Sequence, residues 1–249
     1  MLNTEGPFPL HTQLEKIIRD KIANGIWQEN QRISSENELC KKYGLSRMTV
    51  RAVLAKLVQE ELIYRVPGKG TFVSPHKIVS KPLSQMGIRA QLELMGYKNT
   101  TKLLYAKETV CNTALAQKLK MEPHTLLYEI KRIRFVEEQP FSIHLSYIPQ
   151  DCCRGLIDQN YDFENTQLCD ILRIYYSIEQ NHTIETMELT NAHTDDAALL
   201  HIKKGYPLVH LENTLYSVDG QLTEYASVLF RGDKIKIEIH NTYNLQNPI

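Results

Sequence analysis

Ser35-Glu36-Asn37-Glu38-Leu39-Cys40-Lys41-Lys42-Tyr43-Gly44-Leu45-Ser46-Arg47-Met48-Thr49-Val50-Arg51 holds two helix starts around one helix stop. Ser35 and Glu38 have the spacing of a capping box. The hydroxyl accepts a free backbone N–H and the carboxylate reaches back. Leu39 and Tyr43 supply the apolar side of the first helix, and Gly44 suits the left-handed residue that ends it. Ser46 then caps a second helix, in which Val50, Val53, Leu54, Leu57 and Val58 fall on one face. Two helices joined by so short a glycine-containing turn form the helix-turn-helix pattern.

The flanks extend the pattern. Upstream, Leu10, Leu14, Ile17, Ile18 and Ile22 recur at helical spacing, and Gly25 marks the stop. Downstream, Leu62–Arg65 and Thr71–Ser74 read as short strands joined by Pro67-Gly68-Lys69-Gly70, a wing with a basic tip. With the apolar face of the last helix turned inward, Arg47, Thr49 and Arg51 face out near its N-terminal end. That is the end a recognition helix presents to base edges. Arginine donates twice to guanine, and threonine reaches a phosphate or a thymine methyl. Lys69 and the backbone amides of Gly68 and Gly70 suit the sugar-phosphate backbone or the minor groove. The competing reading is a small helical bundle whose Arg and Thr are merely solvated.

Residues 8–75 resemble the GntR family of regulators. The resemblance is carried by Ile33-Ser34-Ser35-Glu36, by Tyr43 to Arg51, by Leu62-Ile63-Tyr64-Arg65, and by Gly68-Lys69-Gly70-Thr71-Phe72-Val73. It implies a winged helix-turn-helix in which Ser35, Glu36, Ser46, Arg47, Thr49, Arg51, Gly68, Lys69, Gly70 and Thr71 face double-stranded operator DNA. Asn37 stands where the family usually has an arginine, so that one contact is not carried over.

The bulk numbers agree. A chain of 249 residues, 42 % hydrophobic, suits two domains with sizeable cores. Its net charge is zero, yet residues 1–75 hold 11 Lys/Arg against 8 Asp/Glu and the rest 18 against 21. The first part is therefore the basic one, as a phosphate-facing module should be. Five cysteines without ligand spacing argue against a disulfide framework and a metal site. No apolar run reaches the roughly 18 residues of a membrane span, and Met1–Pro9 lacks the layout of a secretion signal. The expectation is a cytoplasmic protein with no cofactor and no membrane partner.

Ser74–Pro82 carries two prolines and reads as a linker, with residues 76–82 between domains at 8–75 and 83–245. Beyond it strands and helices mix. Strands are expected at Leu103–Val110, Leu126–Val136, Phe141–Ile148, Ser177–Leu189, Leu208–Ser217 and Thr223–Phe230. Helices are expected near Ser84–Met95, Asn112–Leu119, Thr166–Ile174 and Thr194–Ile202, the last closed by Lys203-Lys204-Gly205. The fold class is α+β around an antiparallel sheet.

Arg132 and Arg134 alternate along one strand and so share a face, where two guanidiniums can clamp a phosphate or carboxylate. Ser84 opens the domain's first helix, and Glu224 can accept from hydroxyls or an amine. The competing reading pairs the arginines with Glu129, Glu137 or Glu224 across the sheet. This half resembles the UTRA ligand-binding domain of the HutC subfamily. The resemblance rests on Arg132-Ile133-Arg134, Tyr147-Ile148-Pro149, Lys204-Gly205-Tyr206-Pro207-Leu208, Asp219-Gly220, Glu224-Tyr225 and Arg231-Gly232-Asp233. It implies a chorismate-lyase-like fold used for sensing, an effector site, and a homodimer reading a pseudo-palindromic operator, usually as a repressor. Gln167-Leu168-Cys169 stands where phosphosugar-sensing relatives carry Ser-x-Tyr, Phe230 where they carry Tyr, and His144 where an acid is common. The expected effector site is thus Ser84, Arg132, Arg134, His144, Gln167, Cys169, Glu224 and Phe230, for a small anionic metabolite.

Two other classes compete. One is an enzyme of chorismate-lyase-like fold fused to a DNA-binding domain, with His144, His182, His193 and His201 as catalytic candidates. None of them forms a recognised nucleophile motif. The other is an interaction module with a degenerate DNA reader, against which the intact Arg47, Arg51 and wing argue.

Overall fold

A computed structural model describes residues 2, 7–75, 77–83 and 86–240. Contacts divide the chain into two compact units, residues 1–76 and 77–249.

The first unit comprises α1 (Leu10–Ala23), α2 (Glu36–Tyr43), α3 (Arg47–Gln59), β1 (Ile63–Val66) and β2 (Gly70–Val73). The capping box forms: Glu38 N donates to Ser35 Oγ at 3.3 Å, and Ser35 N donates to Glu38 Oε2 at 2.7 Å. Gly44 ends α2 at φ 66°, and Ser46 Oγ caps α3 by accepting Thr49 N at 3.1 Å. Leu14 and Ile18 of α1, Leu39 of α2, and Val50, Val53, Leu54 and Leu57 of α3 close one core with Ile33, Ile63 and Val73. The wing strands pair antiparallel from Ile63↔Val73 to Val66↔Gly70, with Gly68 at φ 73° in the turn.

The second unit is built on a six-stranded antiparallel sheet. Its strands are β4 (Asn99–Val110), β5 (Leu126–Val136), β6 (Gln139–Pro149), β7 (Gln180–Asn191), β8 (Pro207–Ser217) and β9 (Leu222–Arg231). Their spatial order is β4-β5-β6-β9-β8-β7. On one face lie α4 (Ile88–Leu94), packed with Phe141, Val228 and Phe230, and α6 (Leu168–Tyr176), packed with Tyr128, Ile130 and Ile148. On the other lie α5 (Thr113–Leu119), against Leu127 and Tyr147, and α7 (Thr194–Leu199), against Ile143 and Leu208.

The expected linker is corrected. Its residues Ile78–Ser80 form β3, which pairs in parallel with β10 (Ile235–Ile237). Ile78 and Ser80 are buried while Val79 is exposed, and Ile78 N donates to Lys234 O at 2.8 Å. A partner more than 150 residues away leaves no local signal. The fourth expected helix also stops earlier, at Leu199, with His201 rather than Gly205 as the first left-handed residue after it. The helix expected from Ser84 starts at Ile88, and Ser84 itself lies outside the described residues.

Candidate nucleic-acid interface and ligand cavity

In the first unit, α3 shows its solvent side to one surface. Arg47, Met48, Arg51 and Ala52 are exposed there. Thr49 is half-buried, and its hydroxyl lies 2.9 Å from Ser46 Oγ; that bond uses one of the two hydroxyl protons and leaves the other to donate outward. Glu36 carries a carboxylate and is a poor phosphate contact. It holds cations instead: Arg65 Nη2 of β1 lies 3.0 Å away, and Arg51 Nε of α3 4.0 Å. Glu36 thus links α3 to the wing strand β1. Gly70 sits at φ 125°, where Arg32 Nε would lie 2.8 Å from an added Cβ. Close passage of the arginine and the left-handed backbone both require glycine there. Gly68 and Lys69 form the tip, closed by Lys69 N donating to Val66 O at 3.0 Å, and Thr71 lies opposite Arg65.

In the second unit, register assembles a cavity of 370 Å³. Arg132 of β5 pairs with His144 of β6, which pairs with Val228 of β9. One row along, Ser146 pairs with Ala226, and Ala226 with Asn213 of β8. The next row sets Glu224 beside Leu215, and Leu215 beside Thr183 of β7. Alternation turns all these side chains to the face carrying α4 and α6. Ala226 and Val228 are small, so the centre of the floor stays open. Gly87 and Arg89 at the start of α4, and Gln167 and Cys169 at the start of α6, complete the lining. A side chain at Gly87 would meet Gln167 Oε1 at 2.8 Å, so glycine lets the two helix starts converge.

The chemistry of this cavity is unfinished. Among the described residues, four buried side-chain polar atoms lack a hydrogen-bond partner: Arg132 Nε, Arg134 Nε, Gln180 Nε2 and Asn213 Oδ1. All four residues line it. Such atoms are costly to leave unmet. Of the three carboxylates expected to neutralise the arginines, Glu224 lines the same cavity and attracts Arg132, while the other two are engaged elsewhere. Glu129 accepts from Tyr105 Oη at 2.6 Å and pairs with Lys107, and Glu137 accepts from Lys98 N at 2.9 Å. Arg134 instead donates to the neutral Asn99 Oδ1 at 2.9 Å. Burial, with Arg132 and Arg89 nearby, pushes the Arg134 guanidinium down to about 9. Burial also lowers Arg132, against the pull of Glu224. A guanidinium meets such a deficit by taking up an anion more readily than by losing its proton. His144 is held well below its ordinary range by burial and by both arginines, and its Nε2 lies 2.8 Å from Ser142 Oγ. Burial raises Glu224, opposed by the Ser146 hydroxyl and by Arg132. Desolvation by the surrounding cavity wall, with Glu224 and Asp170 nearby, raises the Cys169 thiol to about 11, although the residue keeps an exposed surface.

Known proteins agree with this division of labour. Residues 10–73 match the model of bacterial regulatory proteins of the gntR family, and residues 94–236 match the UTRA domain. The chain belongs to the GntR family, in its UTRA-containing branch. It is 29 % identical to the HTH-type transcriptional repressor NagR of Bacillus subtilis, over 94 % of this chain and 95 % of that one. With the histidine utilization repressor of Klebsiella aerogenes it shares 26 %, over 94 % and 95 %. The crystal structure of PhnF from Mycobacterium smegmatis has the same fold, with TM-score 0.64 at 20 % identity, over 94 % and 100 %. This GntR-family chain is accordingly a DNA-binding transcription regulator with an effector-binding domain.

Of the effector residues expected for this regulator, Arg132, Arg134, His144, Gln167, Cys169 and Glu224 line the cavity. Phe230 does not, which is a correction. It shares the strand face of Glu224, but it is fully buried, 5.5 Å edge-on from Phe141 and 6.1 Å from His144. There the apolar cluster of α4 and β10 closes over the sheet, so Phe230 backs the site. Sequence reasoning missed Gln180, Asn213, Ser146 and Arg89. Neutral amides on strands have no motif, and only the pairing across β6, β9 and β8 brings Asn213 to the arginine face.

Proposed function

We propose that this regulator is a repressor released from its operator by a small anionic metabolite bound in the second unit's cavity. One observation carries the reading. Two buried guanidiniums, each with an unmet Nε, line the same space as two unmet amide groups. An anion with a polar body satisfies both ends, and a phosphorylated sugar or a sugar–amino-acid adduct is such a molecule. The names of relatives support repression of a metabolite-utilization system: a histidine utilization repressor, and a probable fructoselysine utilization operon transcriptional repressor in Escherichia coli.

The protein works as a homodimer on a pseudo-palindromic site, because one winged helix offers too few contacts for a sharp operator. No helix among the described residues is long and apolar enough to cross a membrane, and we place the protein in the cytoplasm. We read the cavity as a sensor rather than a catalyst. His144 lines it, but its Nε2 is occupied by Ser142, and His182 lies against Tyr216 on β8 at 5.8 Å.

Calorimetry tests the pocket. Phosphorylated sugars and sugar–amino-acid adducts are each compared with an uncharged counterpart. A charged compound binds, its uncharged counterpart does not, and Arg132→Ala or Arg134→Ala weakens binding at least tenfold. Equal affinity of charged and uncharged forms, or undiminished affinity in both variants, overturns the assignment.

A further inference from the structure

The outer face of α3 presents an apolar tip where a purely polar reader would place another hydrogen-bonding group. Met48 is 77 % exposed. It stands in the first turn, between Arg47 and Thr49. Val50 is fully buried, and two residues of helix turn Met48 about 160° away from it, to the middle of the outward face. Ala52, one turn on from Met48, and Ala55, one turn further, are exposed as well, and Arg51 flanks them. The ridge of this helix is therefore methionine, alanine, alanine, bordered by guanidiniums.

Exposure alone does not set Met48 apart, since Leu94 and Leu189 are at least as exposed; its place does, on the outward face of α3 between two guanidiniums. A second protein surface is disfavoured, because the methionine is flanked by Arg47 and Arg51, both exposed, with the Lys69 tip in the same unit. That setting favours a polyanion bearing scattered apolar groups. Duplex DNA is such a polyanion, and its only apolar protrusion in the major groove is the C5-methyl of thymine. Alanine at positions 52 and 55 removes bulk from the same ridge, so the helix can lie deep enough for a thioether to reach a base edge. Methionine is unbranched and polarizable, and moulds itself to an irregular apolar surface.

We infer that Met48 is a specificity-determining residue that packs on a thymine C5-methyl in each operator half-site. It adds apolar readout to the hydrogen bonds of Arg47 and Arg51. This rests on the family's DNA binding and goes beyond it, because it fixes the base read at one position and the kind of contact that reads it.

The full-length protein tests this. Its preferred duplex is first selected from a random library. Each thymine is then replaced in turn by deoxyuridine, which deletes only the methyl group. One thymine per half-site loses affinity by about fourfold, the worth of one buried methyl. In Met48→Ala that thymine and its uracil form bind alike, while Met48→Leu, which restores an apolar tip, regains part of the difference. Arg47→Ala binds more weakly throughout but keeps the methyl dependence. Position 48 is exposed and packs no core, and unchanged thermal unfolding confirms that the variants are folded. The inference is overturned if every uracil replacement is silent, or if the methyl dependence survives undiminished in Met48→Ala. A protein that binds all duplexes alike overturns it together with the regulator reading. Sequence preference without methyl dependence overturns it alone.

Discussion

Gln91 of α4 reads both backbone groups of Lys81: Lys81 N donates to Gln91 Oε1 at 2.7 Å, and Gln91 Nε2 donates to Lys81 O at 3.1 Å. The same amide accepts from Ser80 Oγ at 3.0 Å and donates to Met86 O at 2.5 Å. One buried side chain thus fastens the segment that enters the second unit to the helix whose start lines the cavity. These bonds would carry any shift of α4 around a ligand to residues 80 and 81. Gln91→Leu should leave effector affinity within a few-fold of the parent. The effector's hold on DNA affinity, ordinarily a factor of about 5–150, should fall toward one. Unmet backbone groups at Lys81 should also cost about 1–3 kcal/mol of stability, read by denaturant unfolding.

On the DNA side, Arg47→Ala should cost about 1–3 kcal/mol of specific binding if its guanidinium pairs with guanine. Lys69→Ala should weaken binding to all sequences and lower the salt slope by about one. Glu36→Gln should resemble neither. It frees Arg51 and Arg65 from their shared carboxylate, so discrimination between operator and random DNA should fall more than total affinity does. Gel-shift titrations at several salt concentrations separate the three outcomes.

Phe230 belongs to the core, and its replacement should act on folding first. Phe230→Ala should destabilise the second unit by about 3–5 kcal/mol. A variant that keeps parental stability and loses only effector binding would return Phe230 to the pocket.

His144 gives a pH signature. Its folded-state affinity for protons is depressed below the ordinary 6.5, so the unfolded chain takes the proton first. Its contribution to stability is complete above about pH 6.5 and is lost as pH falls below that. Glu224, whose carboxyl is raised from 4.5, acts with the opposite sign: its contribution is present at acid pH and is lost as pH rises through 4.5 toward its folded value. The whole-protein profile mixes the two, and comparison with His144→Gln isolates the histidine. Between pH 7 and 5.5 the parent should lose stability relative to that variant, measured by thermal unfolding at each pH. An unchanged difference across that range would show that His144 is not held neutral.

Much of the first unit was legible because its determinants are local. Ser35, Glu38, Gly44 and Ser46 act within three or four residues, and each sits where its chemistry requires. The long strands of the second unit were legible from alternation and from turns such as Glu137-Glu138, both of which adopt positive φ. Pairing between distant segments was not legible. Ile78 next to Ile235 and Asn213 next to Ala226 are facts of topology, and no residue type announces them. The arginine pair was found because two charges on alternate positions of an apolar strand are conspicuous. Gln180 and Asn213 were missed because amides are common on strands, and only their unmet atoms single them out. The contacts of Thr49 with Ser46, and of Glu36 with Arg51 and Arg65, were not legible either, since they depend on how α2, α3 and the wing pack.

Whether an anion held by Arg132 and Arg134 lowers affinity for the operator is read by fluorescence anisotropy of a labelled operator duplex bound to the full-length protein and titrated with the anionic compound found by calorimetry. The parent should release the duplex. Arg134→Ala should not release it at the same concentrations, although that variant binds DNA normally without the compound. Operator DNA should weaken the parent's affinity for the compound by the same factor by which the compound weakens its affinity for DNA. Undiminished release from Arg134→Ala, or a compound that binds free and DNA-bound protein equally, would show that the arginine-held anion does not control DNA binding.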